Sequence, residues 1–161
     1  MIQKCLNENL VLMKTGLFPA SYKDSSKRYS VTLGVGGNVG DVRRRLEKLS
    51  FYFKRSVKCD LVKTGTILKN PPFGYLDQAD FYNSVMLVKT NLQPRAFLKY
   101  ILEVERKFGR KRSFANAPRT LDIDMIFYEN RQMNTKELTL PHPHYKERES
   151  VVIPLAYMEN R

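Results

Sequence analysis

Two aspartates, Asp122 and Asp124, stand one residue apart inside the otherwise apolar run "PRTLDIDMIFY" at 118–128. On an extended strand such residues share a face, with their roots about 6–7 Å apart. Hard cations such as Mg²⁺ take oxygen ligands, often one or two carboxylates with waters and substrate phosphates in the other positions. The chemistry open to this pair is therefore metal-assisted handling of phosphates. Alone the pair is a weak signal, because two acids on a solvent-facing strand need no further explanation.

The neighbours strengthen it. Glu105 is followed by "RKFGRKRSFANAPR", which puts Arg106, Lys107, Arg110, Lys111, Arg112 and Arg119 in the segment entering the aspartate strand. Guanidinium and ammonium groups neutralise phosphoryl charge while carboxylates hold a metal. The glycine cluster "GVGGNVGD" at 34–41 does not match G-x-G-x-x-G, because its third glycine position is Val39, and it contains no P-loop motif. It fits a tight strand-to-helix turn with Asp41 at the helix N-terminus. The loop "NPPFGYLDQADFYNSV" at 70–85 gathers Phe73, Tyr75, Phe81, Tyr82 and Asn83. Rings with an amide suit a flat heterocycle, although aromatics entering a strand also serve a core. His142 and His144 flank Pro143, with no third histidine in the chain and no cysteine near them in sequence to complete a zinc site.

The elements that must position these residues follow from periodicity. Residues 29–35 read as a strand, and Val42, Leu46, Leu49 and Phe53 recur at helical spacing. Residues 59–69 and 81–90 read as strands separated by the proline loop. Pro94 opens a second helix that Gly109 stops. From 119 to 128 the residues alternate, with Leu121, Ile123, Met125 and Phe127 on one face and Asp122, Asp124, Ile126 and Tyr128 on the other. The order β-α-β-β-α-β is the ferredoxin-like arrangement, an α+β fold with an antiparallel sheet and helices packed on it. A strand near "ELTL" and the apolar "VVIPLAYM" form a C-terminal strand and helix extension. Residues 1–28 lack sustained periodicity and read as an N-terminal extension without an assigned function.

A chain of 161 residues fits one domain. It carries 28 Lys and Arg against 16 Asp and Glu, a net charge of +12 that calls for an anionic partner. Its two cysteines, Cys5 and Cys59, lie outside any C-x-x-C spacing and suit a reducing compartment. The early apolar run "LVLM" is too short for a signal peptide or a membrane span, so a cytoplasmic protein is expected.

Five ordered segments, "GGNVGD", "NPPFGYLDQADFYNSV", "EVERKFGRKR", "APRTLDIDMIFY" and "LPHPHYKERES", resemble the 6-hydroxymethyl-7,8-dihydropterin pyrophosphokinase family over about residues 29–157. The resemblance implies a single pyrophosphokinase domain at 29–161 that moves diphosphate from ATP to a pterin alcohol in folate biosynthesis, releasing AMP. It implies catalytic roles for Asp122, Asp124, Arg110 and Arg119, with two Mg²⁺ ions on Asp122 and Asp124. Glu105, Arg110, Arg112, Arg119, His142 and Arg148 would surround ATP, and Pro72, Phe73, Gly74, Phe81 and Asn83 would hold the reduced pterin. A monomer that engages neither nucleic acid nor membrane is expected. The chain departs from the family's usual pattern at Gly37, where serine is common, at Ser150, where an aromatic is common, and in having no tryptophan.

Two other function classes fit parts of the sequence. A basic β-α-β-β-α-β domain is also an RNA-recognition architecture, but the strand "YNSVMLVKT" lacks the glycine-aromatic motif that such modules use. A metal-dependent nuclease would use D-x-D and basic loops, yet it leaves the loop from Phe73 to Asn83 without a purpose.

Overall fold

The computed structural model describes residues 2–111 and 113–159. Strand β4 (Tyr29–Gly37) is the central element and is preceded by three short strands, β1 (Ile2–Cys5), β2 (Val11–Lys14) and β3 (Ala20–Ser21). Helix α1 (Val42–Arg55), strands β5 (Asp60–Thr64), β6 (Ile67–Asn70) and β7 (Phe81–Thr90), helix α2 (Pro94–Lys107) and strand β8 (Asp122–Tyr128) follow. The chain closes with β9 (Met133–Asn134), β10 (Thr139–Leu140), a 3₁₀ turn at Tyr145–Glu147 and helix α3 (Glu149–Glu159). The result is a mixed α+β structure. Its main sheet runs β1-β2-β6-β7-β4-β8, and β5 pairs with β7 beside β6. All recorded strand pairings are antiparallel.

Local chemistry sets the helix ends. Asp41 Oδ1 accepts a hydrogen bond from Arg44 N at 3.1 Å, satisfying one of the donors left open by the first turn of α1. Pro94 opens α2 where a missing N–H costs nothing, and Gly109, at φ +85°, turns the chain out of it. Val42, Leu46, Leu49 and Phe53 of α1 meet Phe97, Ile101 and Val104 of α2 over the inward side chains Val31, Leu33 and Val35 of β4. That layer is the main core. Helix α3 packs on the opposite face, where Val85, Ile126, Val151 and Met158 form a smaller cluster. It approaches closely at Gly65, where a Cβ would lie 3.1 Å from Pro154 O and 2.8 Å from Val85 Cγ2.

Three details differ from the periodicity reading. The single strand expected over 59–69 is two, with β5 on the second half of β7 and β6 on its first half, from Asn70 opposite Phe81 to Leu68 opposite Asn83. The break falls at Gly65, whose N–H still donates to Val85 O at 2.8 Å. A bulge between Thr32 and Leu33 shifts the pairing of β4 with β8, so alternation fails beyond Met125. Phe127 therefore packs with the α3 cluster and Tyr128 enters the main core, the reverse of the expected faces. The first 28 residues also contribute to the sheet: β1 and β2 form a hairpin paired through β2 to β6, and β3 pairs with β5.

Candidate active site

The aspartates sit where the α3 face of the sheet is left uncovered. Asp122 pairs with Gly36 and Asp124 with Gly34, so the floor beside them carries no side chains. Gly36 has no alternative, since a Cβ there would fall 2.0 Å from Asn83 Oδ1. Asp122 is held by two guanidinium groups: Arg110 Nη1 donates to Oδ1, and Arg119 Nη1 donates to Oδ2 at 3.0 Å. Behind them Glu105, only 3% exposed, comes from the last turn of α2. Its Oε2 accepts from Arg110 Nη1 at 2.9 Å and from Ile123 N at 2.7 Å. One buried carboxylate thus fixes both the arginine and the strand between the two aspartates.

The environments push the aspartates apart. Burial raises the Asp122 carboxyl, but Arg110 and Arg119 outweigh it and hold the group below the usual range. The Asp124 carboxyl, unlike that of Asp122, makes no hydrogen bond or ion pair with another described residue. Burial, the Asp122 charge and the Glu105 charge push it up to about 7, against the weaker pull of Arg148 and Arg110. A desolvated carboxylate beside another, lacking its own counter-charge, is a place that a cation would stabilise.

The same face continues into a second chemistry on β7 and β6. Asn83 Nδ2 donates to Asn70 Oδ1 at 2.7 Å, which fixes the orientation of both amides. Arg119 lies 5.5 Å from the Phe81 ring centroid, a cation–π distance, so one arginine touches both the acidic strand and the aromatic wall. A cavity of about 630 Å³ joins these parts.

Of the residues singled out from sequence, Asp122, Asp124, Arg119 and Arg148 line this cavity, as do Pro72, Phe73, Phe81 and Asn83. Glu105 and Arg110 support it from behind. Gly74 and His142 are not in its wall; Gly74, at φ +79°, instead turns the loop against Asn116, and His144 lines the cavity. Burial and the Arg148 charge push the His142 imidazole down, and its ring nitrogen Nδ1 accepts from His144 N at 3.3 Å. Arg112 lies outside the described residues.

The sequence reading missed Asn38 and Gln78. Asn38, 7% exposed, donates from Nδ2 to Gln78 Oε1 at 2.8 Å and to Ala79 O at 2.9 Å. Gln78 Nε2 donates in turn to Tyr75 O at 2.6 Å and Asn116 O at 2.8 Å. Phe114 meets Tyr75 edge to face, with centroids 5.2 Å apart. The aromatic loop and the basic loop are therefore tied to one another through the glycine turn. Only the asparagine within "GGNVGD" hinted at this, and as a turn residue.

A profile of the 7,8-dihydro-6-hydroxymethylpterin-pyrophosphokinase (HPPK) family matches residues 32–160. Similar proteins named 2-amino-4-hydroxy-6-hydroxymethyldihydropteridine pyrophosphokinase include one from Helicobacter pylori, 40% identical over 153 residues that cover 92% of this chain and 93% of the relative. Another, from Campylobacter jejuni, is 39% identical over 143 residues, 88% of this chain and 91% of the relative. One from Aquifex aeolicus is 35% identical over 134 residues, 81% and 80% of the two chains. At 92% coverage the first similarity includes part of the N-terminal 28 residues as well as the site. With the profile spanning the acidic strand, both loops and α3, this chain belongs to the 7,8-dihydro-6-hydroxymethylpterin-pyrophosphokinase family.

Proposed function

We infer that this protein transfers diphosphate from ATP to the hydroxymethyl group of 6-hydroxymethyl-7,8-dihydropterin, releasing AMP, as a step of folate biosynthesis. One observation carries the reading: a single cavity has carboxylates and arginines at one end and a ring with oriented amides at the other. Neither the RNA-module nor the nuclease alternative gains support from relatives that bear the pyrophosphokinase name.

The hydroxymethyl oxygen attacks the β-phosphorus in line; the bond from that phosphorus to the oxygen bridging the α-phosphate breaks, AMP keeps the electron pair, and the hydroxyl proton passes to solvent. Little covalent chemistry falls to the protein, so positioning and charge neutralisation supply most of the rate. Arg119 and Arg148 face the phosphates, and Arg110 and Glu105 keep the acidic strand in register with them. Phe81 and Phe73 contact the heterocycle, and Asn83 hydrogen-bonds its polar edge, with Pro72 and Gly74 shaping the loop over it. His142 orients His144 at the rim.

The donor set fits Mg²⁺. Asp124 is a carboxylate without a protein partner, and no group of three or more His, Cys, Asp or Glu offers a complete protein cage among the described residues. Phosphate and water would fill the remaining positions, as Mg²⁺ prefers. Asp122 and Asp124 would hold two such ions, which would supply positive charge against the transferring phosphates while Arg110 and Arg119 keep Asp122 in place.

We read the strand order β8-β4-β7-β5/β6 as ferredoxin-like, with β9, β10 and α3 as its C-terminal extension. Residues 29–161 carry the pyrophosphokinase domain, to whose sheet the preceding strands β2 and β3 add, and the protein acts as a monomer in the cytoplasm. Among the described residues no helix is long and apolar enough to cross a membrane. The test is AMP formation: protein with ATP, Mg²⁺ and the reduced pterin alcohol should yield AMP and pterin diphosphate in equal amounts, and folded protein that yields none overturns the reading.

A further inference from the structure

The cavity extends beyond the aromatic loop to the turn of the N-terminal hairpin, where Asn7, Asn9 and Leu10 line it. The sheet order gives this a direction. Moving from β8 through β4, β7 and β6 to β2, the lining passes from the aspartates over Gly34 and Gly36 to Phe81 and Asn83, then Asn70, and last Leu10. Val11 pairs with Lys69 in antiparallel register, so the preceding Leu10 lies opposite Asn70. The hairpin turn therefore bounds the end of the cavity farthest from Asp122 and Asp124, which is the end that takes the heterocycle.

The turn is fixed rather than loosely placed. Asn7 Oδ1 accepts from Asn9 N at 2.8 Å and Leu10 N at 2.9 Å, and Leu6 N donates to Leu10 O at 2.9 Å. Leu10, 7% exposed, packs with Leu12 and Leu68, with Ile153 of α3 against the same cluster. The residues that α3 itself gives to the lining, Glu149, Ser150 and Val151, include no ring. The Asn9 amide bonds to no other side chain or backbone group among the described residues and is exposed. A rigid aliphatic side chain next to an uncommitted amide matches a flat heterocycle with a polar edge.

We propose that the Leu6–Leu10 turn is the specificity wall of the acceptor subsite, with Leu10 packing on the pterin and the Asn9 amide hydrogen-bonding its edge. The inference rests on the diphosphate-transfer reading above. It is tested by equilibrium binding of 6-hydroxymethylpterin, followed by its fluorescence, with Mg²⁺ and a non-hydrolysable ATP analogue present, alongside binding of the analogue alone. Leu10→Ala should weaken pterin binding about tenfold and Asn9→Ala about threefold, with analogue binding unchanged. Should Leu10→Ala lose its fold, the volume-conserving Leu10→Met and the exposed Asn9→Ala carry the test. Pterin affinity within twofold of wild type in all folded variants, or an equal loss for the nucleotide analogue, overturns the wall alone. Wild-type protein that binds no pterin overturns the acceptor assignment with it.

Discussion

Asn38 and Arg119 hold each other by a reciprocal pair of hydrogen bonds, Asn38 N to Arg119 O and Arg119 N to Asn38 Oδ1, both at 3.0 Å. The pair clamps the glycine turn after β4 to the residue that enters the acidic strand. The other end of the Asn38 amide reaches Gln78 and Ala79, so one buried side chain spans three segments. Asn38→Asp keeps the acceptor for Arg119 N but loses the donor. Denaturant unfolding should show a loss of about 1–3 kcal/mol, with the KM for both substrates raised. Unchanged stability and KM values would show that the clamp does not order the loops.

Gly36 tests the floor of the site. A methyl group there would collide with Asn83 Oδ1 at 2.0 Å and Tyr82 O at 2.8 Å. Gly36→Ala should turn the Asn83 amide away from Asn70 and raise the KM for the pterin at least about tenfold, while ATP binding changes little. Wild-type pterin KM in the variant would remove Asn83 from the acceptor subsite.

Asp124 gives the metal-free protein a pH signature. Its native carboxyl keeps its proton up to about 7, whereas the unfolded chain releases it near the ordinary 3.8. Between those values the native state binds more protons than the unfolded state, so this group's contribution falls as pH rises. Asp122 works in the opposite sense, its contribution present above the ordinary value and lost as pH falls. Asp124→Asn removes the first effect. Its Tm advantage over wild type, without metal, should therefore be larger at pH 8 than at pH 5. Parallel Tm profiles for the two proteins would contradict the raised carboxyl.

The parts of this site legible in the sequence were those with a local signature. The acidic strand showed itself because alternation holds from Leu121 to Met125, and the glycine turn and Pro94 helix start are one-position signals. What alternation cannot register is a partner strand out of step: the bulge opposite Leu33 exchanged the faces of Phe127 and Tyr128. The Gly65 break was hidden for a similar reason, since the neighbours that crowd this position, Val85 on β7 and Pro154 and Met158 on α3, lie far from it in sequence. The N-terminal hairpin lacked an alternating pattern because both faces of β2 are covered, Leu10 and Leu12 by Leu68 and Ile153, Val11 and Met13 by the main core. Asn38 and Gln78 were invisible as a pair because their contact spans forty residues of sequence.

Glu105 tests the support behind the arginines. It is buried, and its Oε2 serves both Arg110 and Ile123 N. Glu105→Ala leaves Arg110 and a strand N–H without that partner and should cost about 3–5 kcal/mol by chemical denaturation. Glu105→Gln retains the shape and an acceptor oxygen, so it should fold while kcat falls, because Arg110 is no longer fixed by a charge. Full kcat in a folded Glu105→Gln would show that Arg110 needs no such fixing.

On the reading above, the β- and γ-phosphates move together to the pterin alcohol. ATP labelled at the β-phosphorus, incubated with the protein, Mg²⁺ and 6-hydroxymethyl-7,8-dihydropterin, is the most direct measurement. The label should appear in pterin diphosphate, with unlabelled AMP released, and should stay in ATP with Asp122→Ala or Asp124→Ala. Release of ADP or labelled inorganic phosphate in place of pterin diphosphate would rule out diphosphate transfer, and wild-type transfer by both aspartate variants would remove Asp122 and Asp124 from the reaction.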